Sequence, residues 1–122
     1  MTTAVKSKTV AEIVEESHLA GMNAANAATP KKYNVVNENN EIIDTLDDGL
    51  CGFAWITIRP ARGSLVAYLK AEGIGDKGWS GGWTIWVNKF GQSYDRKYAY
   101  AKAFANTLCQ YGIDAQAGAR LD

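Results

Sequence analysis

An α+β fold is predicted by three features of this 122-residue chain: a helical apolar stripe near the N-terminus, two short runs rich in aromatic and β-branched residues, and a second helical stripe after them. The expected order is an N-terminal helix and a long arm, then strand, helix, strand, helix and strand. A small three- or four-stranded sheet covered by helices on one face satisfies the layer rule for such an order. One domain is expected, divided into a flexible tail (1–8), the helix (9–29), an acidic, Asn-rich arm (30–49) and a compact unit (50–122). An apolar share of 47% against 21% charged residues is the composition of a chain that buries a core.

The tail, MTTAVKSK, is small and polar. Thr9 and Glu12 have the spacing of a capping box, so a helix starts there. Val10, Ile13, Val14, Ser17, Gly21, Ala24, Ala25 and Ala28 then recur at three- and four-residue steps up to Thr29-Pro30. The far half of this stripe is Gly and Ala, so its partner can approach closely. Residues 31–49 have no helical period and many Asn, Asp and Glu, which predicts a long connection with short extended pieces at Tyr33–Val36 and Glu41–Ile43.

Cys51 to Ile58 (CGFAWITI) reads as a strand buried on both faces, ended by Arg59-Pro60. Ser64 to Glu72 reads as a short helix with Leu65, Tyr68 and Leu69 inward and Gly73 at its end. Trp83 to Asn88 (WTIWVN) alternates, with Trp83, Ile85 and Val87 on one face and Thr84 and Trp86 on the other. Ser93 can cap a helix from Tyr94 to Tyr111, whose inward stripe is Tyr98, Ala101, Phe104, Ala105 and Leu108 and which Gly112 ends. Ile113 to Gly118 is the last strand.

Thirteen basic and thirteen acidic side chains cancel, which argues against a general nucleic-acid binder that works by excess positive charge. The balance is uneven, however: residues 1–58 carry a net −4 and residues 59–122 a net +4. The two halves should attract each other, within a chain or between chains. Cys51 and Cys109 lack metal or redox spacing and sit beside apolar residues, so buried, reduced thiols are expected. With no apolar run of the roughly 18–20 residues that span a bilayer, the expected location is cytoplasmic.

The stretches CGFAWITI, GGWTIWV, GQSYDRKYAYAKAFANTL and GIDAQAGARLD, together with the Ala-rich helix ending at Thr29-Pro30, resemble a group of small uncharacterised tailed-bacteriophage proteins. Those share a GFAWV-like strand, a GG-x-x-IW strand, a KEAYA-like helix core and a C-terminal A-G-S-R-[LM]-D. Here Lys97 to Ala101 (KYAYA) replaces the helix core, and Ala119 stands where the group has Ser. The resemblance implies phage origin and a shared fold, and carries no activity with it.

Enzyme signatures fail one by one. His18 is the single histidine and is expected on a helix surface. One His and two distant Cys do not make an ordinary zinc site. Gly73 to Gly78 lacks the order of a phosphate loop, and Leu46 interrupts the acids that would build a calcium loop. Tyr94, Asp95 and Arg96 beside Gln92 read more simply as the first turn of a helix. No catalytic residue, cofactor or metal is therefore expected.

The best candidate site is for an anion or nucleotide. Arg59, Arg62, Gly63 and Ser64 link a strand to a helix N-terminus, where two guanidinium forks and free N–H groups could face a phosphate. The alternative is a solubilising loop whose arginines pair with acids of the arm. Trp83 and Trp86, beside glycines and with Trp55 close by in the expected sheet, offer flat surfaces for a base or for a protein contact, and Arg120 near the C-terminus could join them. Two functions stay open: a non-enzymatic binder of a phosphate-bearing ligand, nucleotide or nucleic acid, and a protein-interaction module that blocks a host factor or serves in assembly. A homo-oligomer, most simply a dimer, is expected with the first helix or the Trp79–Trp86 region in the contact.

Overall fold

A computed structural model describes residues 8–30, 33–46, 49–78 and 80–122. The order is α1 (Val10–Ala27), β1 (Tyr33–Val36), β2 (Ile42–Leu46), β3 (Gly52–Ile58), α2 (Ser64–Ala71), β4 (Asp76–Lys77), β5 (Trp83–Trp86), α3 (Tyr94–Gln110) and β6 (Ala115–Leu121). This is the expected α+β fold. The tail proposed for residues 1–8 lies, apart from Lys8, outside the described residues.

From β3 onward the order is β-α-β-β-α-β, and the four strands form one antiparallel sheet in the order β4-β5-β3-β6. Counted from β3, that is 2-3-1-4, the split βαβ arrangement in which the first and third strands lie at the centre. β4 has two residues and exists because a glycine-rich turn folds it back on β5: Gly78 N–H donates to the Gly82 carbonyl at 2.9 Å. The arm is not extended throughout. Its two pieces pair with each other as an antiparallel hairpin, Val36 opposite Ile42, with an irregularity after Val35.

β3 differs from the expectation of burial on both faces. Gly52, Ala54, Ile56 and Ile58 are buried, while Phe53, Trp55 and Thr57 between them are half-buried. Among the described residues helices lie on one side only, so β3 alternates like any strand of a two-layer fold. Into that side point Leu65, Val66 and Leu69 of α2, Tyr100, Ala101, Phe104, Ala105 and Leu108 of α3, and Trp83, Ile85 and Val87. Tyr98, expected in the α3 stripe, is half-buried, and Tyr100 takes the deeper place. Gly73 and Gly112 end α2 and α3 with φ of 70° and 79°, a conformation costly for other residues.

The first helix has both halves of its capping box, Thr9 and Glu12 exchanging hydrogen bonds of 3.1 and 3.0 Å. It lies antiparallel to α3 in the same chain. Glu16 accepts from the Tyr111 hydroxyl at 2.6 Å, His18 Nδ1 is 2.6 Å from the Tyr100 hydroxyl, and Arg96 donates to the Ala25 carbonyl at 3.2 Å. His18 is thus partly buried in the helix contact and not a free surface histidine. At its centre Gly21 meets the Tyr100 ring so closely that a Cβ there would lie 2.6 Å from ring carbons.

Burial under α1 pushes the Tyr100 hydroxyl up to about 12. A raised folded-state value means that the protonated form is favoured, so this contribution is complete below pH 10 and fades as pH rises toward 12. Urea unfolding at a series of alkaline pH values should therefore show a loss of stability in that window that Tyr100→Phe reduces. Equal losses in the two proteins would show that Tyr100 does not govern it.

Candidate functional site

The uncovered face of the sheet collects what the buried face excludes. Alternation turns Phe53, Trp55, Thr57 and Arg59 outward from the β3 line, and the register sets three rows across the strands. Phe53 lies opposite Arg120, Trp55 lies between Gly118 and Trp86, and Thr57 lies between Gln116 and Thr84, with Asp76 beyond Thr84. All of these except Phe53 line a shallow groove of about 870 Å³.

The middle row is aromatic. The Trp55 and Trp86 rings are 5.1 Å apart and tilted by 50°. Trp55 lies directly over Gly118, where any Cβ would collide with the indole. Glycine in this edge strand thus lets a large ring lie down across it. Trp86 is 46% exposed, a large apolar surface left open to solvent.

Along the strand direction, cations flank this row on both sides, the buried Lys97 among them. On one side Arg120 Cζ is 5.4 Å and Lys97 Nζ 5.6 Å from the centre of the Phe53 ring, and Lys97 also donates to the Gly52 carbonyl at 3.2 Å. On the other side Arg59 reaches Ser80 Oγ at 3.4 Å. Among the described residues no carboxylate lies within salt-bridge distance of Arg59, Arg62 or Arg120, so the pairing of the loop arginines with acids of the arm is not seen. From Phe53 to Arg59 the strand advances about 20 Å, at ~3.3 Å per residue. Lys77 adds a further positive charge at the groove and Asp76 a negative one.

Of the residues singled out in the sequence, Arg59, Trp86 and Arg120 come together on this face. Arg62, Gly63 and Ser64 are exposed at the start of α2 and do not line the groove. Trp83 lies in the core and not on this face: it is 8% exposed, its Nε1 donates to the Ile74 carbonyl at 2.9 Å, and Lys70 lies over its ring. Trp79 lies outside the described residues. Sequence reasoning set Trp55 close to Trp86 in the sheet but left Phe53, Thr57, Gln116 and Gly118 out of the site. The outward residues of β3 follow from its alternation once helices are confined to one face.

Both thiols are exposed, against expectation, and Cys109 Sγ is 3.2 Å from the Ala115 carbonyl. Among the described residues no three His, Cys, Asp or Glu side chains gather to hold a metal, and no helix is long and apolar enough to cross a membrane. No family model, curated protein or solved structure matches the chain.

Proposed function

We propose that this protein is a non-enzymatic binder of single-stranded nucleic acid, holding bases on Trp86 and Trp55 and phosphates at Arg59 and Arg120. The observation that carries the reading is the aromatic row on the two central strands of a helix-free face, with a guanidinium group on either side of it along the strands. Every base has a π-face, so indoles bind single strands with little sequence preference. Four-stranded sheets with aromatics on their surface stack two or three bases in this way. Guanidinium forks suit phosphate. The spacing of the two arginines along the face, about 20 Å of backbone, favours a strand over a mononucleotide. Asp76, Thr84 and Gln116 can hydrogen-bond base edges between them.

Fluorescence anisotropy with labelled oligonucleotides, in parallel with thermal shift against mononucleotides, tests this. With two phosphates neutralised, the logarithm of affinity should fall against the logarithm of salt with a slope of about −1.4, and Arg120→Gln should lower it in magnitude by about 0.7. No binding at low salt overturns the reading.

A second reading, a protein contact, is favoured by the exposed aliphatic residues of the β1–β2 hairpin. The partner would be a second copy, in a dimer, or a host protein. Phage origin and a place in the host cytoplasm belong to the same proposal and rest on the sequence motifs.

A further inference from the structure

The β1–β2 hairpin pairs internally and, among the described residues, neither strand packs extensively on any other element. A two-stranded hairpin alone is marginal in water. This one also leaves Val36, Ile42 and Ile43 exposed at 48%, 62% and 63%, beside the exposed acids Glu38, Glu41 and Asp44. Such a combination of aliphatic surface and negative charge needs a partner that is both apolar and basic.

The uncovered sheet face has that character, with Trp86 exposed and Arg59, Lys77 and Arg120 around it. None of the described hairpin residues lines the groove of their own chain. We infer that the hairpin of one chain docks on the uncovered face of a second copy. Each chain then offers one hairpin and one face, and a two-fold axis satisfies both at once. The two equivalent contacts share the roughly 1,200–2,000 Å² that a stable interface buries. The opposite net charges of residues 1–58 and 59–122 steer the encounter. This names the partner element for the dimer reading above. It also places carboxylates where nucleic acid would place phosphates, so the two occupants compete.

Light scattering on the full chain at tens of micromolar tests the inference, with oligonucleotide anisotropy measured separately. A dimer is expected for the wild type. Ile42→Asp with Ile43→Asp on the hairpin, and Arg59→Glu with Arg120→Glu on the face, should each give monomers with unchanged far-ultraviolet circular dichroism. Adding Glu38→Lys, Glu41→Lys and Asp44→Lys to the face variant should restore the dimer, a rescue that loss of folding cannot mimic. A monomeric wild type overturns the inference, as does a dimer indifferent to either surface or an unrescued charge swap. Nucleic-acid binding has its own readout: absent anisotropy with a persisting, rescuable dimer removes the single-strand reading alone.

Discussion

Trp86→Ala is expected to weaken oligonucleotide binding by about 5- to 150-fold, the equivalent of the ~1–3 kcal/mol that stacking one base on an aromatic side chain contributes. The ring projects from a central strand into solvent on the face no helix covers, so its area is available to a ligand. Folding should notice the change far less. What is lost in the free protein is mainly the contact with Trp55, about 1 kcal/mol for an aromatic pair. Anisotropy titration and urea unfolding of the same variant separate the two effects. Trp86→Phe keeps a smaller stacking surface and should retain most of the affinity. Unchanged affinity in Trp86→Ala would exclude stacking on this face.

The second large effect is on stability. In an isolated helix Gly21→Ala would help by about 1 kcal/mol, because alanine loses less backbone entropy. In this protein it should harm, because the added methyl meets the Tyr100 ring. That ring cannot simply step aside: its hydroxyl is held by His18, and Phe90 and Phe104 lie 5.8 Å from it on centroid distance. Gly21→Leu should cost more, at least the ~1–3 kcal/mol typical of overpacking, with α1 partly displaced from α3. Thermal unfolding would register this as a drop of about 4 °C per kcal/mol. A rise in melting temperature for Gly21→Ala would show that the helix contact is looser than described.

How much of this could be read from residues alone varied with the strength of the local pattern. The long helix α3 was legible because its stripe repeats over about three turns and Ser93 and Gly112 mark its ends, Ser93 accepting from the Arg96 N–H at 3.3 Å. Its partner was not, because the Gly and Ala stripe of α1 announces a close approach without naming what approaches. β4 carries no signal of its own, as two residues have no period and their pairing is imposed by the turn that follows. Within the candidate site, Trp86 could be placed by the alternation of β5, but the same alternation should have set Trp83 aside, since it shares a face with Ile85 and Val87. Phe53 was hidden by treating an apolar run as buried on both sides, though Trp55 was already set close to Trp86. Gly118 could not be found at all, because its role depends on which strand lies next to β3 and in what register.

The nearness of the two indoles has an optical consequence. Transition dipoles 5.1 Å apart and inclined to one another share their excitation, so Trp55 and Trp86 should produce a paired signal of opposite signs in ultraviolet circular dichroism that neither ring gives alone. Anything that slides between them or turns one of them would erase that couplet. The protein thus carries its own unlabelled reporter of whether the face is occupied, and by a flat ring or by something else.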